Sequence, residues 1–388
     1  HGFDMAHVCR TARENMVDTD KMPLAPHEFA LMDMLFSNSD AFLCKPQPGY
    51  ETCRYVFFPG CQAGAIAPDV VMDAYEDLCA RVEGGVGLIL GCCGAISEWA
   101  GRYEMTEKVN EQLKQELAKL GDPMIIAGCP SCMKQLKESM GAEVRGIWEI
   151  LKEIGLPGKA RGIEIPVAVH DACGARGDAQ TQDTIRDLLT AMGCTIEDTE
   201  DSKDLSPCCG YGGLTAYANR EMASKMTEKC LERSDAPYIT YCMACRDRFV
   251  REGRESRHIL ELLYGDNASN MPDISEKRYN RLMLKEKLLK NIWKEELMME
   301  KKDYTVAYTE DAIKMMDERM ILKSDVERVL ADYRESQEAV LDEETKELVT
   351  RSRLGNVTFW VHFVETDEGY LVRRAYSHRM NITKRVGQ

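Results

Sequence analysis

Apolar positions along the chain switch between two periods in a repeating order, and that order predicts its elements. Arg54-Tyr55-Val56-Phe57-Phe58-Pro59 is a short apolar run preceded by the turn-forming Lys45-Pro46-Gln47-Pro48-Gly49, and it reads as a buried strand. From Pro68 to Val82 the apolar residues recur at helical spacing, Val86-Gly87-Leu88-Ile89-Leu90 is again continuous, and Thr106 to Leu120 is amphipathic. Pro123-Met124-Ile125-Ile126-Ala127 supplies a further strand. The same order then recurs, with Ile165 to His170 as strand, Thr181 to Met192 as helix and Pro237 to Tyr241 as strand. Each series ends on a helical stretch, Ile147 to Leu151 and Ile259 to Leu263. Strands alternating with helices of about ten to fifteen residues predict parallel βαβ units. The fold class is therefore α/β, with two tandem Rossmann-like lobes related by pseudo-twofold symmetry and a cleft at their junction.

The flanks follow different patterns. His1 to Phe36 reads as helical, and Asn38-Ser39-Asp40 as the start of a loop. Beyond Gly265 the composition shifts to Asp266-Asn267-Ala268-Ser269-Asn270-Met271-Pro272, a linker, and then to alternating Lys and Glu from Glu276 to Lys302, which predicts a solvated helix. A helix from Glu310 to Met320 follows, and Ser324-Asp325-Val326-Glu327 resembles a capping box opening another. Val357 to Val364 and Tyr370 to Arg374 form a hairpin around Asp367-Glu368-Gly369. The expected organisation is a helical segment over 1–53, lobes over 54–160 and 161–265, linker and charged helix over 266–302, and a small cysteine-free α+β docking domain over 303–388.

Ten of the sixteen cysteines fall into one five-cysteine pattern written twice. The first copy is Cys61, Cys92-Cys93-Gly94 and Cys129-Pro130-Ser131-Cys132; the second is Cys173, Cys208-Cys209-Gly210 and Cys242-Met243-Ala244-Cys245. The gaps are thirty and thirty-five residues in one, thirty-four and thirty-two in the other. A predicted strand runs into Cys61, Cys92, Cys129, Cys173 and Cys242, and ligands in parallel sheets collect beyond the carboxyl ends of strands. Cys-x-x-Cys puts two sulfurs on one turn, and the adjacent pair aims two more from one loop. A structural zinc or a cubane cluster takes four cysteines, so five per copy suits a multi-iron cluster in which a fifth thiolate has a role. Soft thiolates favour iron-sulfur assembly.

This spacing resembles the cysteine-rich CCG domain of the disulfide-cleaving subunit of heterodisulfide reductase and of its relatives among glycolate, lactate and glycerol-3-phosphate oxidation proteins, over about residues 54 to 264. The resemblance implies two noncubane [4Fe-4S] clusters facing each other, with a disulfide held and cleaved between them. Many relatives have lost cysteines from one copy, and this chain has lost none, which leans toward disulfide reduction or thiol oxidation. Some relatives carry an upstream Cys-x-x-Cys-x-x-Cys-x-x-x-Cys-Pro run that does not occur in this sequence, so any cubane relay is expected on another chain or segment. Two other readings stand beside this one: an electron relay in a flavin-dependent dehydrogenase complex, and a zinc-stapled or thiol-redox binding scaffold.

A net charge of -15 lacks the basic footprint of a nucleic-acid binder and suits docking to basic partner surfaces. No apolar run approaches the roughly eighteen residues of a membrane span, and sixteen cysteines without a secretory signal suit a reducing compartment, the cytoplasm. No Gly-x-Gly-x-x-Gly is present, so a flavoprotein or ferredoxin-like subunit is expected to supply electrons, with a small disulfide or thiol as substrate.

Other residues carry weaker signals. His170, in His-Asp-Ala-Cys, is the candidate catalytic acid for a leaving thiolate, against the plainer reading of a strand-end histidine bonded to backbone. Arg176 and Lys134 could balance cluster charge or be solvated, and Tyr211 could line the cleft or simply pack. Gly60, Gly91, Gly94, Gly128, Gly174, Gly210, Gly212 and Gly213 suit close approach to a cluster or ordinary turns. Cys9, Cys44, Cys53, Cys79, Cys194 and Cys230 read as small packing residues, Met243 as a neighbour of a cluster, and His362 and His378 as ordinary histidines.

Overall fold

In the computed structural model the described residues are 5–22, 26–265, 271–296, 303–354 and 357–379. The apolar runs of the first copy become short strands: β1 (Leu43–Lys45), β2 (Tyr55–Phe58), β3 (Val86–Leu90), β4 (Met124–Ala127) and β5 (Val144–Gly146), in the order β1-β3-β2-β4-β5. β2 to β5 are parallel, and β1 adds an antiparallel edge to β3. All five residues of β3 are buried, which explains why it reads as a continuous apolar run. Helix Pro68–Arg81 begins on a proline that needs no intrahelical N–H partner and buries Val70, Val71, Ala74, Tyr75 and Leu78. Helix Tyr103–Lys119 buries Thr106, Val109, Leu113 and Leu117, one side of the amphipathic pattern. β1 and β5 are absent from the sequence reading because three residues show no period.

The second copy is a reduced version of the same plan. β6 (Ala168–His170), β7 (Tyr238–Thr240) and β8 (Ser256–His258) are parallel and adjacent in that order. A single parallel bridge, Val167 to Ile196, stands where β3 stands in the first copy. The pair Cys208-Cys209 is therefore delivered by a loop rather than by a strand. Buried Asp171 anchors that loop: it accepts Arg186 Nη1 at 3.0 Å and Nη2 at 2.9 Å, the Tyr241 hydroxyl at 2.9 Å and the Lys203 backbone N–H at 2.6 Å. The two copies share one core, in which the Trp148 indole donates to Thr181 Oγ1 at 3.2 Å and meets the Tyr241 ring edge-on.

The charged stretch after the linker departs from the solvated helix expected of it. Helix Ile274–Leu288 buries Arg281, Leu284 and Leu288, and the π-helical turn Leu289–Trp293 ends with the Trp293 indole donating to the Pro46 carbonyl at 2.8 Å. Its few apolar positions are backed by Lys and Arg stems, which cover apolar surface while their heads find carboxylates. The end of the expected helix, over 297–302, lies outside the described residues. The expected N-terminal helical stretch is two helices, Met5–Asp18 and Glu28–Ser37.

Residues 272–276 and 297–388 form a separate compact unit, the rest of the chain up to Glu296 the other. In the smaller unit β9 (Thr305–Tyr308), β10 (Val340–Leu341), β11 (Leu348–Leu354), β12 (Val357–Thr366) and β13 (Gly369–His378) make one sheet in the order β10-β11-β12-β13-β9. β12 and β13 are the expected hairpin, closing at Thr366 opposite Gly369. Helices Glu310–Arg319 and Lys323–Ser336 bury Met316, Val326, Val329 and Leu330 in a core with Val361, Phe363 and Val372. The second of them opens earlier than the Ser324 reading: the Leu322 N–H donates to Asp325 Oδ2 at 3.1 Å, so Ser324 is already helical.

The buried Asp171 hub yields a stability test. Asp171→Asn leaves Arg186 with Asp198 as its one carboxylate partner and turns an amide N–H toward the buried donors, and the expected cost is about 1–3 kcal/mol, read as a lower denaturant midpoint at unchanged slope.

Candidate metal centre

Strand ends place most of the ten cysteines. β2 leads through Pro59-Gly60 to Cys61, β3 through Gly91 to Cys92-Cys93, β4 through Gly128 to Cys129, and in the second copy β6 and β7 lead to Cys173 and Cys242. Gly60 has φ +88° and faces the neighbouring ligand turn, so that a Cβ on it would lie 3.3 Å from Cys132 Sγ. Gly174 marks the contact between copies, where a Cβ would fall 2.7 Å from the Ser131 backbone nitrogen. These two positions need glycine for close approach.

All sixteen cysteines are free thiols. The ten of the repeated pattern lie next to one another in an unbroken series in which each thiol influences the acidity of its neighbours. In the first copy it runs Cys61, Cys92, Cys93, Cys132, Cys129; in the second, Cys242, Cys245, Cys209, Cys208, Cys173. Cys129 meets Cys242, joining the two series across the boundary. The sulfurs are linked in pairs, and among the described residues no three His, Cys, Asp or Glu side chains converge on one ion position.

Acidities along the series differ because buried sulfurs share protons. Hydrogen bonds from Cys132 and then Cys242 hold Cys129 well below the usual thiol range, so that it receives from both copies. Bonds from Cys132 and Cys92 bring Cys93 down to about 6, and Cys173 with Cys209 lowers Cys208 strongly. Cys61 is pushed well up by donating to Cys92 and then by burial, while donation to Cys208 is the first cause raising Cys209, to about 12. The donor set is all sulfur, buried or half-buried, and five per copy, which suits a thiolate-ligated iron-sulfur cluster on each copy.

A narrow cavity of about 60 Å³ lies between the copies, lined by Cys61, Cys93 and Cys132 on one side and Tyr211, Cys242 and Met243 on the other. Ile96 and Trp99 complete an almost wholly apolar wall. Tyr211 thus takes the cleft-lining position, its hydroxyl 3.4 Å from that of Tyr217. Met243 lines the same cavity.

The other candidates stand elsewhere. His170 is buried, packs edge-on against Phe249 at 4.8 Å, has Nδ1 3.5 Å from Ser206 Oγ, and is not among the residues lining the cavity. Burial holds its imidazole down to about 4, and so neutral at pH 7. Arg176 donates to the Ser206 carbonyl at 2.6 Å, bracing the loop before Cys208, while Lys134 is half exposed and 3.9 Å from Glu138. Cys230 donates from Sγ to the Cys208 carbonyl at 3.4 Å, close to the site, whereas Cys194 accepts the Ile163 N–H and Cys9 is exposed. Cys53 is buried; burial also pushes Cys44 up to about 12 and Cys79 to about 11. In the smaller unit His378 accepts the Trp360 indole at 3.0 Å and His362 lies 3.4 Å from Glu347.

Three residues that back the ligands belong to no motif, and sequence reasoning misses them. Asn38 clamps Cys92 reciprocally, donating to its carbonyl at 3.1 Å and accepting its N–H at 2.7 Å. Thr227 Oγ1 donates to the Cys209 carbonyl at 2.8 Å, and Arg281 Nε donates to the Cys61 carbonyl at 3.0 Å. Only tertiary packing brings them there, and Asn38 reads in sequence as an ordinary turn residue.

A family model described as CCG, cysteine-rich domain, matches residues 55–137 and again 167–249, each match enclosing one full set of five cysteines. The chain carries two CCG cysteine-rich domains. Among curated proteins, an uncharacterized iron-sulfur protein of Methanocaldococcus jannaschii is 28% identical over 222 residues, covering 53% of this chain and 44% of the relative. An uncharacterized iron-sulfur protein of Methanococcus maripaludis is 27% identical over 206 residues, covering 50% of this chain and 40% of the relative. The chain spans less than half the length of either relative. Among the described residues no helix is long and apolar enough to cross a membrane.

The contact between the CCG domains is testable through its glycine. Gly174→Ala drives Cys173 away from the Cys-Pro-Ser-Cys turn, and Cys129 and Cys242 of metal-free protein are expected to react several-fold faster with a thiol reagent, read by mass spectrometry. Unchanged labelling would mean that the close approach does not hold the two series together.

Proposed function

We propose that this chain is an iron-sulfur oxidoreductase subunit, similar to heterodisulfide reductase, that reduces a disulfide or oxidises a pair of thiols between two noncubane [4Fe-4S] clusters. The observation that carries this reading is the shared cavity, which Cys61, Cys92, Cys93, Cys129 and Cys132 of one CCG domain line together with Cys242 of the other. Two separate electron carriers would not require that cavity. The relatives' description as iron-sulfur proteins supports the cofactor class. The clusters would supply one-electron transfer and a soft surface for sulfur.

The protein's own part is to hold, shape and dry the site. Cys61, Cys92, Cys93, Cys129 and Cys132 would hold one cluster, and Cys173, Cys208, Cys209, Cys242 and Cys245 the other. Trp99, Ile96, Tyr211 and Met243 keep water from the cavity between them, which favours an unhydrated sulfur-sulfur bond over charged ligands. The overall change is addition of two electrons and two protons to a disulfide, giving two thiols, or its reverse. The electrons would come from a flavoprotein or ferredoxin-like subunit in a larger complex, in a reducing compartment such as the cytoplasm, and the C-terminal unit is suited to docking.

Protein purified without air is expected to contain about eight irons and eight sulfides, and to give a new paramagnetic signal on adding a disulfide. Zinc without sulfide would retire the enzyme reading in favour of a thiolate-stapled scaffold. Cys93→Ser and Cys209→Ser should each abolish disulfide turnover with a reduced electron donor. Near-normal turnover by either variant would instead place the clusters in an electron relay.

A further inference from the structure

The cysteines are duplicated, but their electrostatic surroundings are not. From Lys277 onward, helix Ile274–Leu288 lies across both CCG domains. Lys277 Nζ is 2.6 Å from Asp247 Oδ2 on the helix that carries Cys245, and Asn280 Nδ2 donates to the Ala65 carbonyl at 2.8 Å. One turn further on, Arg281 donates from Nε to the Cys61 carbonyl at 3.0 Å and is only 4% exposed.

Arg281 does not stand alone. Its Nη1 is 2.8 Å from Asp33 Oδ1, and Arg278 Nε reaches the same oxygen at 3.2 Å. Two guanidiniums thus share one carboxylate, which leaves a net positive charge beside Cys61, away from water. Arg281 Nη2 is buried without a hydrogen-bond partner, and Arg281, Gly60 and Cys61 line one small cavity. In the second copy the charges offset one another: Lys277 and Arg251 share Asp247, two residues after Cys245, while Asp171 and Asp198 share Arg186, with Asp171 two residues before Cys173. The Cys173 carbonyl accepts the backbone N–H of Arg176 at 3.4 Å, and the Arg176 guanidinium is turned away to the Ser206 carbonyl.

We infer that Arg281 sets the two CCG sites apart electrochemically, giving the first copy the higher reduction potential, so that electrons arriving at the second copy move on to the first. This rests on the cluster reading above. Reduction adds negative charge; a buried cation and an uncommitted N–H donor stabilise that charge, and the low local dielectric strengthens both effects. Arg281 acts here as a positioning and tuning residue, with Asp33 as its counterweight.

The test is an EPR-monitored redox titration of the chain with its clusters, after iron and sulfide have been measured on each sample. Wild type is expected to show two separated midpoints. Arg281→Gln should lower the higher one by at least about 59 mV, a tenfold change in a one-electron reduced-to-oxidised ratio, and leave the other in place. Arg281→Lys should keep most of the separation. Asp33→Asn, which removes the counter-charge and leaves both guanidiniums, should move the same midpoint upward, a change of sign that a merely structural role for this cluster of residues would not produce. Equal shifts of both midpoints, no shift with Gln, or a downward shift with Asp33→Asn would overturn the inference. Wild-type protein without iron and sulfide would overturn the cluster reading instead, so the two failures are distinct. Should Arg281→Gln shed iron, the Asp33→Asn and Arg281→Lys titrations decide the matter between them.

Discussion

Ten sulfurs must be brought to one place and kept out of water, and the rest of the main unit is arranged around that requirement. A buried thiol series cannot ionise as a whole, because each thiolate needs a donor beside it and desolvation opposes every added charge. The protein meets this by concentrating acidity on a few sulfurs: Cys93, Cys129 and Cys208 are lowered by the thiols beside them, while their neighbours are held up and keep their protons. Metal binding reverses the balance, since ligating thiols lose their protons and the cation takes over the role of the donors. The site is thus built for a cofactor that arrives with positive charge and soft bonding preferences.

Parallel sheets make such a site simple to assemble. The carboxyl ends of β2, β3 and β4 lie side by side, so loops of one or two residues carry Cys61, Cys92-Cys93 and Cys129 to a common edge. In the second CCG domain the strand before the cysteine pair has shrunk to the Val167–Ile196 bridge, and charge replaces hydrogen-bond pairing as the means of placement. Asp171, Arg186 and Asp198 hold that loop, with Arg186 Nη2 2.7 Å from Asp198 Oδ1. The paired cysteines are therefore placed by a backbone ladder in one copy and by ion pairs in the other, and the second is the more sensitive to loss of a single side chain.

Elements from outside the duplicated region complete the site unequally. Helix Glu28–Ser37 supplies Asp33, the loop after it supplies Asn38, and the helix after the linker supplies Arg281 to the first copy, whereas the second receives Lys277 of that helix, two residues from a cysteine rather than on its carbonyl. A duplicated fold gives two equivalent ligand sets, and equivalent sets have no reason to differ in potential. Flanking segments that are not duplicated are the simplest way to make them differ.

The cysteine spacing and the apolar periods alone were enough for the duplication and the α/β class. Cysteine spacing survives translation into three dimensions because most of these cysteines sit on tight turns that follow a strand, and buried parallel strands such as Val86–Leu90 betray themselves as unbroken apolar runs. Pro68–Arg81 was legible for the same local reason, a proline start and a helical apolar stripe. Only the tertiary structure decided that Cys129 and Cys242 meet, that Gly174 permits it, and that Tyr211 faces the cavity while His170 lies buried against Phe249. The same holds for Asn38, Thr227 and Arg281, whose partners are 54, 18 and 220 residues away. Local pattern encodes which face of an element is apolar; it carries no record of which distant backbone carbonyl a buried polar side chain must satisfy, because that is set only when the elements pack.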